Sequence, residues 1–212
     1  AYDQIIHDVA LQNLNMVLCL DRAGLVGADG PTHHGAFDIA YLGCIPNMVV
    51  ATPSDERELR NMMFTALHSD RPFAIRYPRG TGRGVEWRDQ PFEAIEVGKA
   101  RKVRDGKDVA ILVFGALCAE AERAAEQAEV IGVSSAIYDM RFAKPLDKEL
   151  ILNIAGDFKR IITIEDGTIR GGAGEAVVKL LNENSINVTV ETLGIEDKFI
   201  EHGSVGELRH AC

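Results

Sequence analysis

The stretch Met16-Val17-Leu18-Cys19-Leu20-Asp21-Arg22-Ala23-Gly24-Leu25-Val26-Gly27-Ala28-Asp29-Gly30-Pro31-Thr32-His33-His34-Gly35 decides the fold class. Residues 16–20 form a short, wholly apolar run closed by an acid, which predicts a parallel strand buried on both faces. The glycine-rich loop after it leaves the carboxyl end of that strand, where α/β sheets place ligands. The loop gathers Asp21, Arg22, Asp29, Thr32, His33 and His34 between glycines that let backbone approach a ligand closely. Histidine titrates near neutral pH and passes protons to a carbonyl or hydroxyl, and a carboxylate can fix a sugar hydroxyl. The alternative is a surface loop whose acids and histidines satisfy one another and the solvent.

Upstream, Ile5, Ile6, Val9, Ala10 and Leu14 share one helical face, and no capping residue precedes them. That opening predicts a helix cut at Ala1. Downstream, the apolar run 48–51 predicts a second strand. Thr52-Pro53-Ser54-Asp55-Glu56 then opens a helix with capping residues and an acidic first turn, continued by Leu59, Met62, Met63, Ala66 and Leu67. Residues 73–77 predict a third strand, stopped by Pro78 and Gly80. Strands alternating with helices imply a parallel α/β sheet.

Residues 85–96 follow neither period and predict a linker. A second alternation follows, with strands at 109–114, 133–138, 160–165 and 187–193 and helices at 116–131, 147–155 and 174–184. Residues 204–212 read as the opening of a further helix. The predicted organisation is thus a first α/β unit over 1–84, a linker over 85–96 and a second α/β domain over 97–212.

Composition limits the function classes. A formal net charge of −9 disfavours attraction to a nucleic-acid backbone. No stretch approaches the roughly 20 apolar residues of a membrane span, and the first residues have neither a basic nor an apolar leader segment. The expectation is a cytoplasmic protein that binds neither nucleic acid nor membrane. Cys19, Cys44, Cys118 and Cys212 contain no C-x-x-C pair, so unpaired thiols are expected, and His210 with Cys212 is a poor zinc signal.

Arg76-Tyr77-Pro78-Arg79-Gly80 places two arginines at another predicted strand end. Guanidinium groups from separate loops suit phosphate oxygens, and Arg22 with Arg79 lie on successive strand ends. A solvated arginine pair is an equal reading of these residues alone. Gly171-Gly172-Ala173-Gly174-Glu175, Glu201-His202-Gly203 and the 139–147 segment read as structural connections, and Phe142, Met62 and Met63 as core.

The string Gly27-Ala28-Asp29-Gly30-Pro31-Thr32-His33 resembles the pyrimidine-domain signature of the transketolase-like, thiamine-diphosphate-dependent enzymes. With the preceding residues 21–26, Arg76-Tyr77-Pro78-Arg79-Gly80, Asp139-Met140-Arg141-Phe142 and Lys144-Pro145-Leu146-Asp147, the chain is similar to the 1-deoxy-D-xylulose-5-phosphate synthases among them. The resemblance implies an incomplete pyrimidine-binding parallel-sheet domain followed by a transketolase C-terminal α/β domain. It implies a homodimeric transferase that condenses pyruvate with D-glyceraldehyde 3-phosphate, releasing carbon dioxide, for isoprenoid, thiamine and pyridoxal synthesis. His33 matches a proton-handling catalytic histidine, Asp29 an acceptor-binding acid, and Arg22 and Arg79 phosphate-binding positions; His34 stands where the family varies. Thiamine diphosphate and Mg²⁺ are expected in the full-length enzyme, whose N-terminal part would carry the diphosphate site and the cofactor-activating glutamate. The chain alone is expected to bind no cofactor or metal and to be inactive. Another transketolase-like enzyme, such as transketolase or a ketoacid dehydrogenase β subunit, and a non-catalytic assembly subunit are the alternatives.

Overall fold

The computed structural model describes residues 2–212. The helix opening expected at Ala1 lies outside them. The first element, α1 (Tyr2–Gln4), widens at once into a π-helical segment, Ile5–Ala10, in place of the regular helix expected through Leu14. The wider turn suits the i, i+1, i+4, i+5 spacing of Ile5, Ile6, Val9 and Ala10, which face the interior together. The Asn47 side chain donates to the Ala10 carbonyl at 3.1 Å, which also accepts from the Asn13 N–H, and ties this helix end to the segment before β2.

Strands β1 (Val17–Leu20), β2 (Val49–Ala51) and β3 (Phe73–Arg76) form a sheet in which β3 lies between the other two, parallel to both. β2 and β3 are buried throughout, as the apolar run of β2 predicts, and β3 buries its terminal Arg76 as well. A short α2 (Asp38–Gly43) follows the loop. It was not expected, because six residues ending at a glycine show little periodicity. α3 (Glu56–Leu67) begins at the expected cap, where Asp55 accepts from the Glu58 N–H at 2.9 Å.

No helix or strand forms from residue 77 to 100. The second half then builds a sheet in the order β4-β6-β5-β8-β9, from β4 (Arg101–Arg104), β5 (Val109–Phe114), β6 (Ser135–Asp139), β8 (Arg160–Thr168) and β9 (Thr189–Ile195). β4 is antiparallel to its neighbour and the others are parallel. The helices α4 (Cys118–Val130), α5 (Lys148–Asp157) and α6 (Ala173–Glu183) make the crossovers, and α7 (Val205–Ala211) opens on a capping box between Ser204 and Glu207. The strand and helix pattern expected over 109–193 is therefore present; β4 and β7 (Phe142–Lys144) are additional.

β7 leaves its own half. It pairs antiparallel with β2, so the first sheet runs β1-β3-β2-β7. Phe142, fully buried, packs edge-on against Phe73 at 6.2 Å. Arg141, just before it, has φ +59° and forms a two-pronged ion pair with Glu58 of α3, both distances 2.8 Å. One continuous core also joins the halves, with Ile39, Leu42 and Val50 packed in the same cluster as Leu112, Phe114 and Ile161. No helix among the described residues is long and apolar enough to cross a membrane.

Candidate active site

The loop over residues 21–35 leaves β1 and returns to it at a narrow neck. Gly35 donates to the carbonyls of Arg22 (3.0 Å) and Gly24 (2.9 Å), and the Gly24 N–H donates to the Gly35 carbonyl at 3.0 Å. A Cβ on Gly35 would lie 2.3 Å from the Arg22 carbonyl oxygen, so only glycine closes this neck. Arg22 is held at φ +64°, an uncommon conformation for a non-glycine residue.

That backbone aims the Arg22 guanidinium at Asp29, Nη1 to Oδ2 at 3.4 Å. Arg79, arriving from beyond the end of β3, donates to the same oxygen at 2.7 Å. The structure thus brings Arg22, Asp29 and Arg79 together. One carboxylate between two guanidinium groups leaves a net positive charge and several uncommitted N–H donors, an arrangement suited to a phosphate ester or another dianion. All three side chains are partly exposed, so a ligand can reach them.

The adjacent histidines differ. His33 is exposed, and its Nδ1 lies 2.9 Å from the Thr32 hydroxyl while Nε2 makes no hydrogen bond among the described residues. His34 turns inward. Its Nδ1 accepts from the Val26 N–H at 3.1 Å, which places the proton on Nε2, and that atom donates to the Glu201 carbonyl at 3.4 Å. His34 therefore ties the loop to the segment before α7, and the segment expected to be a connection, residues 201–203, packs on the loop through Gly27 and Gly30.

Beneath the neck lies an ion cluster that the sequence did not expose. Arg76, at the end of β3, is 2% exposed. Its guanidinium donates to the Gly35 carbonyl at 2.9 Å, to Asp38 of α2 at 3.5 Å and to Asp166 of β8 in a very short ion pair. Burial alone would lower its pKa, but Asp166 and Asp38 more than offset this and push it up. Glu165, next to Asp166, accepts from the Ala173 and Gly174 N–H groups at the start of α6, at 3.1 and 2.8 Å. Burial pushes its carboxyl up to about 7 despite those bonds. The helix start at residues 171–175 is consequently filled by the protein's own acid, in keeping with its structural reading. Arg76 was visible as half of a motif, and Glu165 and Asp166 as acids at a strand end. Nothing in the local pattern linked residues 90 positions apart.

Among the described residues, no group of three His, Cys, Asp or Glu side chains is placed to share a metal ion. All four cysteines are free, with Cys118 buried.

Residues 1–84 match the transketolase pyrimidine binding domain and residues 98–212 the transketolase C-terminal domain. The chain is 51% identical to a 1-deoxy-D-xylulose-5-phosphate synthase from Phocaeicola vulgatus and 54% identical to one from Bacteroides fragilis. Each alignment takes in 100% of this chain, but only 34% and 33% of those proteins. The chain therefore spans about a third of the length of the curated relatives it matches. Among solved structures, a split-gene transketolase described as an inactive beta4 tetramer superposes with a TM-score of 0.82 at 30% identity, over 93% of this chain and 63% of that one. Transketolase from Campylobacter jejuni, 17% identical, shares the fold with a TM-score of 0.70 over 92% of this chain and 29% of its own. The chain belongs to the transketolase family, with a pyrimidine-binding segment followed by a transketolase C-terminal domain, and it resembles the C-terminal portion of the 1-deoxy-D-xylulose-5-phosphate synthases.

Proposed function

We propose that this chain supplies the acceptor-binding and proton-handling side of the active site in a 1-deoxy-D-xylulose-5-phosphate synthase. The reaction joins pyruvate to D-glyceraldehyde 3-phosphate with loss of carbon dioxide, and its product serves isoprenoid, thiamine and pyridoxal synthesis. The observation that carries this reading is the convergence of Arg22 and Arg79 on Asp29 at the carboxyl ends of β1 and β3. A phosphate ester competes with the Asp29 carboxylate for the two guanidinium groups. Arg22 and Arg79 bind it, and Asp29, released, accepts from an acceptor hydroxyl. His33, whose Nδ1 is engaged by Thr32, holds or transfers a proton at Nε2. His34 keeps the loop in place and does not touch substrate.

Thiamine diphosphate, when bound, supplies the carbanion chemistry. Its other end is a diphosphate held with Mg²⁺, which takes one or two protein carboxylates besides the phosphates. We assign that end, and the glutamate that activates the pyrimidine ring, to the N-terminal part of the full-length enzyme. On this reading the chain alone is inactive, and the working protein is a cytoplasmic homodimer. The likeness to a split-gene transketolase supports a second reading, transfer of a ketol group between sugars, at lower identity than that to the synthases.

The product decides between the two. The full-length enzyme given pyruvate and D-glyceraldehyde 3-phosphate is expected to yield deoxyxylulose phosphate and carbon dioxide; ketol transfer between sugar phosphates without decarboxylation would establish the second reading. In the same enzyme Arg79→Ala is expected to raise KM for the phosphorylated aldehyde by roughly tenfold or more, leaving KM for pyruvate within about twofold. Equal changes in both would remove Arg79 from the phosphate role.

A further inference from the structure

The second sheet has its change of winding direction between β5 and β8: from β5 the chain crosses to β6 on one side, then returns past β5 to β8 and β9 on the other. In open α/β sheets the crevice outside the carboxyl ends at such a point is where a ligand binds. Here a cavity of about 450 Å³ opens at that place, lined by Leu117, Glu120, Ile164 and Asp166 among others. The groups that reach into it from the first half are Ala23, Leu25, Pro78 and Arg79. Asp166, on the cavity wall, pairs with the buried Arg76 of the first half. A carboxylate at the switch point of the second domain thus holds a side chain of the first.

That side chain also holds the loop. Arg76 shares the Gly35 carbonyl with the Gly24 N–H, and Gly35 in turn holds the Arg22 carbonyl. His33 lies two residues before the neck and Arg22 forms its other side. Asp166 touches the neck directly as well: a Cβ on Gly24 would lie 2.9 Å from both Cβ and Oδ2 of Asp166. Two residues further along β8, the Thr168 N–H donates to the Ala36 carbonyl at 2.7 Å. β8 therefore runs along the neck and contacts it at successive points.

We infer that Asp166 is a positioning residue for the acceptor half of the site, acting through Arg76 on the loop neck, so that the C-terminal domain sets the placement of Arg22 and His33. The inference rests on the reading of this loop as the acceptor site. A carboxylate is required because Arg76 is fully buried and carries a charge that Asp38, at 3.5 Å, engages only weakly. An amide of the same shape leaves Arg76 free to shift toward Asp38 and take the Gly35 carbonyl with it.

The test uses the full-length holoenzyme carrying Asp166→Asn. KM for D-glyceraldehyde 3-phosphate is expected to rise roughly tenfold or more, as for a small misplacement of binding groups, with KM for pyruvate unchanged within about twofold. KM does not depend on how much of the enzyme is folded, so partial unfolding lowers only the apparent kcat. Gly24→Ala, which presses a methyl group on the same carboxylate and also strains the neck at its φ of +72°, is expected to raise the same KM. Equal changes in the two KM values, or no change in either, would overturn the inference. Arg79→Ala measured alongside separates the two levels. If it is selective for the acceptor and Asp166→Asn is not, the positioning role fails and the acceptor site stands; if Arg79→Ala is itself unselective, both fall.

Discussion

Glu165 and Asp166 are neighbours on β8, and each meets a different partner. Asp166 meets a buried cation; Glu165 meets two backbone N–H groups, and burial holds its carboxyl at about 7 against an ordinary 4.5. Between those values the folded chain binds a proton that the unfolded chain has lost. Folding therefore gains from Glu165 at low pH and loses that gain as the pH rises through 7. Arg76 and Asp166 face the same carboxyl, with opposed effects. Glu165→Gln removes the titration. It also costs one of the two hydrogen bonds, since the amide has one acceptor oxygen, but that cost is the same at every pH. The stability of the wild type relative to Glu165→Gln is thus expected to fall between pH 5 and pH 8, by up to roughly 3 kcal/mol. Urea midpoints of the two proteins across that range check this, and a difference that grows with pH would show that Glu165 is charged in the folded state. At this scale the sequence was legible for the meeting of Arg22 and Arg79, which lie just past β1 and β3 and converge on Asp29 of the loop. It was not legible for the acids of β8, because nothing in a pair of carboxylates tells which will be buried without a cation.

β7 shows what an element needs to be seen in advance. The strands of residues 109–114 and 160–165 are long apolar or alternating runs and were readable; the helix at Asp55 announces itself through its cap. β7 is three residues, Phe142–Lys144, too short to show a period, and its partner β2 lies some 90 residues earlier. Its place is fixed from outside, by Phe142 against Phe73 and by Arg141 on Glu58. Glu58 is 5% exposed, and Arg141 is the cation nearest to it. Arg141→Met keeps the same backbone demand and most of the side-chain length but removes the cation. Arg101 stays 3.6 Å from Glu58 and compensates in part, so a loss of about 3 kcal/mol is expected, at the low end for breaking a buried pair. Denaturant unfolding measures it. A loss below about 0.5 kcal/mol, the usual effect of a surface substitution, would mean that the pair does not hold β7 to α3.

The whole molecule is organised by that seam more than by its linker. Periodicity divides the chain into two alternations around a stretch in which no helix or strand forms, but periodicity is a local property and could not show that the halves share a core, a sheet and buried charges. Residues 85–96 are held on α3: the Thr65 hydroxyl accepts from the Ile95 N–H at 2.8 Å, and Arg60 stacks on Phe92 at 3.8 Å. Arg88 and Asp89, between those anchors and the first half, are exposed. A protease recognition sequence inserted between them is therefore expected to be cut readily. Cutting removes one covalent link and leaves β7 on β2, Arg141 on Glu58 and Arg76 on Asp166. Since buried pairs are screened little by salt, the nicked halves are expected to elute together in gel filtration at both low and high ionic strength, and to separate only in denaturant. Separation in buffer alone would mean that the linker, rather than the seam, keeps the loop neck under the control of the C-terminal domain. Co-elution at low salt with separation at high salt would place the association in exposed pairs such as Arg83 with Glu122, and the buried cluster at Arg76 would then contribute less than its geometry implies.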